Sequence, residues 1–325
     1  MTERPFIPSV SDEARGNPAI SPGDFKKYSR YTTTYIAAVN WKIDHICLYQ
    51  YLPIIKLKKD PLLGVKRAKV KLNIPHGSIL QVKYKDPYKI VHVRGYGTED
   101  HASTGCFSNS VTVVMYVGKI IVLKVPAQGK IQITGCRSED QVYTAIHAIW
   151  RGIEKIRETH PEVVQIPSGE VPYVIYHAVM NNINMNLGFN INKRKVHEFL
   201  YRDTEFHIIP NDKKYAGVTA KLEVEGLKEL PLVKHRFLNG KWYASKSTWI
   251  DYLAMLPPKD RKKDENAERF QTFLIFHSGK VIQSGPRYEL MEDIFRYFIT
   301  LMNGNREKIE DLTTELSTKK RKAKA

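Results

Sequence analysis

The chain carries one pattern twice. "GKIQITGCRSEDQVYTAIHAIW" from Gly129 and "GKVIQSGPRYELMEDIFRYFIT" from Gly279 both open on Gly-Lys after an apolar run. Each crosses a short alternating segment to a second Gly and then enters an apolar-periodic stretch. Gly129 and Gly279, Lys130 and Lys280, Gly135 and Gly285, Arg137 and Arg287, Glu139 and Glu289, and Ile149 and Ile299 correspond. A second pair, "VNWKIDHICLYQYL" from Val39 and "LGFNINKRKVHEFL" from Leu187, lies 148 residues apart. A third, "SNSVTVVM" from Ser108 and "YAGVTAKL" from Tyr215, is separated by only 107. Two insertions at different places explain the short offset and preserve the order of elements. Repetition constrains the fold because each copy must be one supersecondary unit. The expected organisation is a flexible N-terminal arm (1–30), repeat 1 (31–165, insertion about 54–104), repeat 2 (166–305, insertion about 226–268) and a charged extension (306–325).

Each copy reads as strand, short helix, insertion-prone hairpin, two more strands and a long helix. The short helices carry apolar residues four apart, Leu48 with Leu52 and Val196 with Leu200. The first long helix is marked by Ser138 with Gln141 as a capping box and by Pro161 after its end. Its stripe is Val142, Ile146, Ile149, Ile153 and Ile156. The second is expected to start at Pro286, a favoured first-turn position, and to carry Leu290, Met291, Ile294, Phe298 and Leu301. Such stripes need a sheet to cover. In the Val-Thr strand, Val111, Val113, Met115 and Val117 share one face, and Thr112, Val114 and Tyr116 the other. One face would pack under helices; the other would be an exposed apolar surface beside lysines, which is a binding surface.

The formal net charge is +17 over 325 residues. A field of that sign attracts polyanions, nucleic acid first and an anionic membrane surface second; the plainer alternative is solvated surface lysine. The tail "TKKRKAKA" reads as a basic extension, suited to nuclear import or non-specific DNA contact. The first 25 residues lack a hydrophobic signal segment, and no apolar run reaches about 18 residues, so no membrane span is expected. Cys47, Cys106 and Cys136 are too few, and odd in number, for a disulfide scaffold, which suits a reducing compartment. No Cys or His pair has zinc-finger spacing, so neither a metal nor a cofactor is expected.

"FLIFHSGKVIQSG" (Phe273 to Gly285) resembles the strand-turn-strand signature of the TATA-box-binding protein family, with "VPAQGKIQITG" from Val125 as a weaker copy. The Val-Asn of "AAVNWKI" is similar to that family's first strand, and the divergence resembles the TATA-binding-like factors of large DNA viruses. The resemblance covers most of 31–302. It implies an α+β saddle in which two pseudo-symmetric repeats form one curved antiparallel sheet, with helices on the convex face, plus the insertions. It further implies binding in the minor groove of A/T-rich promoter DNA, bending by apolar wedges and nucleation of transcription initiation. The implied partners are double-stranded DNA and general transcription factors or RNA polymerase subunits. The implied location is the nucleus or, for a viral protein, the cytoplasmic replication site or virion.

Carried over by motif, the phosphate contacts would be Lys130, Arg137, Lys280 and Arg287. The groove positions would be Thr34, Ile36, Thr134, Asn182, Ile282 and Ser284; Gln132 and Asn184 put polar residues where the family is apolar. Phe276 matches an intercalating Phe and Tyr215 its partner position; in the first half Phe107 and Pro126 are the wedge candidates. The family's acidic docking loop is replaced by "PNDKKYAG", with lysines. P-loop, Rossmann, metalloprotease and nucleophile-elbow motifs are absent from the sequence, so no catalysis is expected. The alternative reading is a scaffold or interaction protein of the same fold with only non-specific DNA affinity, which Pro126 and Gln132 favour and the four cations oppose.

Overall fold

The computed structural model describes residues 20–28, 32–58, 60, 72–97, 106–209 and 217–312. The chain divides into two compact units. The larger holds Arg30–Asn182 and Val224–Arg269; the smaller holds Met1–Ser29, Ile183–Glu223 and Phe270–Ala325.

In chain order the larger unit begins with β1 (Thr32–Val39), β2 (Lys42–Ile43), α1 (His45–Tyr51), β3 (Ser78–Lys85) and β4 (Val91–Gly95). It continues with β5 (Ser110–Tyr116), β6 (Ile120–Pro126), β7 (Gly129–Cys136), α2 (Glu139–Arg157), β8 (Val164–Gln165) and β9 (Tyr173–Asn186). The last residues of β9 belong to the smaller unit, followed by α3 (Lys193–Asp203), β10 (His207–Ile209) and β11 (Val218–Glu223). The larger unit then takes β12 (Leu232–Leu238), β13 (Lys241–Ser247), α4 (Trp249–Ala254) and α5 (Pro258–Glu265). The smaller unit closes with β14 (Phe270–Ile275), β15 (Lys280–Gly285), α6 (Met291–Gly304) and α7 (Arg306–Ile309).

This is an α+β fold on antiparallel sheet. Hydrogen-bonded neighbours run β9-β1-β7-β6-β5-β3-β4 in the larger unit and β10-β11-β14-β15-β9 in the smaller, and neither run closes. The two units repeat each other in register. Val122 pairs with Thr134 and Lys124 with Gln132; 150 residues later Thr272 pairs with Ser284 and Leu274 with Ile282. Val111–Val125 and Thr112–Lys124 of β5–β6 recur as Val218–Ile275 and Thr219–Leu274 of β11–β14. Asp44 and Asn192, 148 apart, are the N-caps of α1 and α3. Their side chains accept from the backbone N–H of Cys47 (2.7 Å) and Lys195 (3.1 Å). A one-residue slip would turn every strand inside out, so matched registers mean one unit built twice.

In each unit one sheet face packs under a long helix, α2 or α6. All five residues of the expected α2 stripe are buried, against Tyr35, Val113, Leu123 and Ile133. The Ser138 hydroxyl does not cap α2; instead the Gln141 side-chain oxygen accepts from Arg137 N–H at 2.8 Å. In the smaller unit α6 starts at Met291, after a 3₁₀ turn over Tyr288–Leu290, rather than at Pro286. The later start rotates the buried stripe to Met291, Phe295, Phe298, Ile299 and Met302, which pack on Phe273, Ile275 and Val281. The buried Gln283 side chain, bonded to Gln271, also donates to the Met291 carbonyl at 3.1 Å and anchors that start.

Three boundaries differ from expectation. Residues 20–28 are not a free arm: a 3₁₀ turn over Pro22–Lys27 seats Phe25 in the smaller unit's core, 5.4 Å from the Phe295 ring. Residues 306–312 likewise pack, through buried Ile309 and the Arg306–Glu310 pair at 3.0 Å. The second insertion, which sequence assigns to repeat 2, joins the larger unit, and its charged stretch Pro258–Glu265 is helix α5. The expected exposed apolar face is also absent. Every residue of β5 is buried, because Ile55, Leu57, Leu72, Ile74 and Tyr96 of the first insertion cover Leu80, Val114, Tyr116 and Ile120. Among the described residues, no helix is long and apolar enough to cross a membrane.

Candidate nucleic-acid interface

Alternation along the strands sorts the expected site residues. In the larger unit Tyr35, Ala37, Ile131, Ile133, Leu123 and Val125 point to the core under the helices. Thr34, Ile36, Val122, Lys124, Lys130, Gln132 and Thr134 therefore share the opposite face. Direct cross-strand pairs agree: Thr34 with Thr134, Ile36 with Gln132, Ala38 with Lys130. Asn182 pairs with Thr32 on the far side of β1, and its neighbour Asn181, fully buried, accepts from the Thr33 hydroxyl at 3.1 Å. Thr34 itself is 5% exposed.

Much of this face is covered by the second insertion. Trp249, Tyr252 and Leu256 pack on Ala38 and Ile175, and Ile36 lies against the same cluster. The His177 ring stands edge-on to Tyr252 at 4.7 Å and to Trp249 at 5.1 Å. Lys130 Nζ is 3.0 Å from Asp264 Oδ2, and the Tyr252 hydroxyl donates to that same oxygen at 2.8 Å. Arg269 stands 3.6 Å from the other carboxylate oxygen. The Lys130 and Asp264 side chains are 18% and 8% exposed. Burial, then the Asp264 charge, pushes Tyr252 ionisation far above its ordinary range, so it remains a neutral donor. Ile36 and Lys130, expected at groove and phosphate, are thus held by the chain itself.

Other larger-unit candidates remain at the surface. Arg137 is exposed just beyond β7, and Thr134 is half-buried, 3.5 Å from the Gln132 amide. Pro126 ends β6 opposite Ser110 and is half-buried. Phe107 is 50% exposed, with Lys124 Nζ 3.3 Å from its ring centroid. That cation–π contact holds a wedge candidate and a cation together. Burial lowers the Lys124 pKa from its ordinary value.

The smaller unit presents the same strand pattern without that cover. Thr219, Lys221, Thr272, Leu274, Lys280, Ile282 and Ser284 face away from the α3–α6 core, as do exposed Asn184 and Asn186. Among the described residues, none of the buried apolar clusters lies on this face. Lys280, the counterpart of Lys130, is exposed. Phe276 is half-buried in the tight turn before it, where Phe276 N–H donates to Lys280 O (2.9 Å) and Gly279 N–H to Phe276 O (3.0 Å). The Arg287 side chain is 16% exposed and pairs with Glu289 at 3.2 Å. Tyr215 lies outside the described residues. Lys124 and Lys221 are cations of these faces that motif matching missed; strand parity alone would have found them.

These faces offer hydroxyls, amides, alkyl groups and cations. The metal-ligand-type cluster among the described residues is elsewhere: Cys47, His160 and Glu162 place one ligand atom each within 4.8 Å of one another. There the His160 ring stacks on Tyr51 at 3.9 Å, and burial raises the Cys47 thiol pKa, which disfavours the thiolate a metal needs.

No protein-family model matches the chain. It is similar to "Uncharacterized protein 335L" of Invertebrate iridescent virus 6, at 24% identity over 271 residues, 74% of this chain and 77% of that one. Among solved structures it is similar to Methanococcus jannaschii TBP, at 12% identity and a TM-score of 0.40, covering 85% of this chain and 98% of that one.

Proposed function

We propose that the chain is a non-enzymatic DNA-binding protein that engages the minor groove of A/T-rich duplex, bends it by insertion of Phe276 and nucleates transcription initiation. The observation that carries this reading is the β14–β15 face of the smaller unit, which none of the buried apolar clusters covers among the described residues. On one hairpin it groups a cation (Lys280), apolar groups (Ile282, Leu274), hydroxyls (Ser284, Thr272) and an aromatic ring in the turn (Phe276). An A·T minor groove presents only acceptors, which a hydroxyl can serve as donor. Lys280 serves the phosphates, and a ring at the turn is the shape of wedge that unstacks a base step. The net charge of +17 supplies the long-range attraction. In the larger unit the contributors are Thr134, Lys124 and Arg137, with Phe107 and Pro126 as secondary wedges. General transcription factors or polymerase subunits are the protein partners on this reading.

A second reading has its own observation: the cover over Ile36 and Lys130. An interaction scaffold with only charge-driven DNA affinity would carry such a cover permanently. Energy transfer between the labelled ends of A/T-rich and G/C-rich duplexes separates the two. The bending reading expects the ends to approach on A/T-rich duplex and Phe276→Ala to weaken both bending and affinity. Equal, steeply salt-dependent binding to both duplexes without bending, unaffected by Phe276→Ala, overturns it in favour of the scaffold.

A further inference from the structure

The two copies of the Gly-Lys turn stand in opposite surroundings. Lys280 is exposed, whereas Lys130 lies under residues 249–265, bound to the buried carboxylate of Asp264. The cover has two parts. Its apolar part is Trp249, Tyr252 and Leu256 on Ala38 and Ile175. Its polar part is one carboxylate receiving Lys130, the Tyr252 hydroxyl and, at longer range, Arg269. Gly129 borders the same segment: a methyl group added there would stand 3.4 Å from Pro257 Cδ and 3.5 Å from Asp260 Oδ2. The Asp264 carboxylate is an oxygen anion accepting from the Lys130 ammonium, as a phosphate oxygen would.

We infer that residues 249–265 form a displaceable cover in which Asp264 stands in for a DNA phosphate on Lys130, so that duplex DNA and the cover compete for the larger unit's strand face. This rests on the DNA-binding reading above and adds a regulation to it. The exchange is balanced in charge: Lys130 trades one anionic oxygen for another, and Asp264 retains Arg269 and the Tyr252 hydroxyl. The cover's own links also survive the release, because Arg261 ties α5 to the carbonyls of Leu253 and Ala254, both at 2.9 Å. The cover can therefore leave as a folded piece.

The test compares wild type, Asp264→Asn, Lys130→Gln and the double variant on an A/T-rich duplex across a salt series. Asparagine keeps an acceptor for Tyr252 but removes the charge that holds Lys130. Wild type must break the Lys130–Asp264 pair to reach the phosphate, whereas Asp264→Asn need not, and one phosphate contact corresponds to about 8-fold in affinity at ~0.1 M salt. Asp264→Asn is therefore expected to bind up to about 8-fold tighter than wild type with a similar salt slope, and the double variant is not. Hydrogen exchange on the folded wild-type chain gives an independent readout: amides of 249–265 should exchange faster when duplex is added. Wild type that binds DNA with unchanged exchange in 249–265, and with Asp264→Asn matching wild type in affinity, overturns the cover alone. Failure of wild type and Asp264→Asn alike to bind any duplex removes the DNA-binding reading with it. Binding by Asp264→Asn but not by wild type supports the inference in its strongest form.

Discussion

Replacing each turn glycine by alanine should cost very different amounts, and the difference follows from what surrounds them. Gly129 and Gly279 both sit at positive φ, +92° and +75°. An alanine in either place therefore carries a left-handed backbone penalty of about 1–2 kcal/mol. At Gly129 that is the whole effect, because the nearest atom to a new methyl is a Pro257 side-chain carbon at 3.4 Å, an ordinary contact. At Gly279 the methyl would stand 2.1 Å from the Phe189 carbonyl oxygen and 3.2 Å from its carbon. Backbone must move, and two hydrogen bonds border the collision: Leu187 N–H to Gly279 O (2.9 Å) and Ile191 N–H to His277 O (2.7 Å). Losing both adds about 1–3 kcal/mol, giving roughly 2–5 kcal/mol for Gly279→Ala against about 1–2 for Gly129→Ala. Hydrogen exchange in denaturant reads the two units separately, through peptides covering 187–191 with 280–285 and those covering 130–136. All four tryptophans (Trp41, Trp150, Trp242, Trp249) belong to the larger unit, so their fluorescence follows that unit alone. Gly279→Ala should collapse protection in the smaller unit and leave the tryptophan transition nearly unchanged. Equal destabilisation by the two variants, or a larger effect at Gly129, would refute the packing argument.

Three further outcomes are expected. Phe25→Ala should cost about 3–5 kcal/mol in the smaller unit, since the ring is 2% exposed against Phe295, and removal of residues 1–28 should cost at least as much in the same exchange assay. Burial holds the His235 pKa below its ordinary 6.5, in a site made by Tyr176, stacked at 5.1 Å, and Tyr143. The unfolded chain then binds the extra proton, so stability is lost as pH falls through about 6.5, and His235→Gln should flatten the fall of Tm between pH 7.5 and 5.5. Some slope will remain, because burial lowers His45 and His147 as well. Burial raises the Cys136 thiol to about 12, so maleimide at pH 8 should label half-buried Cys106 and leave Cys136 intact until denaturant is added.

The repeat is legible in the sequence because its signals are local. Glycines at tight turns, caps at Asp44 and Asn192, and the α2 stripe each occupy a few consecutive residues, and their agreement across 150 residues multiplies their weight. The insertions are harder for the opposite reason. "TWIDYLAML" shows that residues 248–256 carry apolar groups to bury, but nothing nearby says that Ala38 and Ile175 will receive them. Asp264 sits in a run of charges that reads as solvated, and its partner Lys130 is 134 residues away. Pro286 is a valid first-turn residue, so local signals place the start of α6 too early; the Gln271–Gln283 pair that fixes Met291 instead is a tertiary contact between strands. Parity reaches further than motif, since it places Lys124 and Lys221 on the faces opposite α2 and α6 without any family pattern.

Matched register and unmatched cover together bear on how such a protein could discriminate among DNA sites. Lys130 and Lys280 occupy equivalent steps of equivalent hairpins, so a repeat left alone would present two equal contacts. Residues 224–269 break that equality in the larger unit, by packing against Ile36 and pairing Lys130 with Asp264. Paired and 18% exposed, Lys130 does not add to the field that attracts a polyanion; exposed Lys280 does. On the proposed DNA-binding reading, encounter would be biased toward the smaller unit, where Phe276 would supply the step that depends on base-pair deformability. Non-specific duplex would satisfy only that first contact. A sequence soft enough to admit the ring would gain the Lys130 contact as well, provided its phosphate displaces Asp264. Ordering the contacts in this way ties the added affinity of the larger unit to sites that have already passed the deformation step. Asp264→Asn should therefore narrow the affinity ratio between A/T-rich and G/C-rich duplex, by strengthening the G/C-rich complex more, as measured by competition binding at fixed salt. An unchanged or widened ratio would show that the cover does not order the contacts.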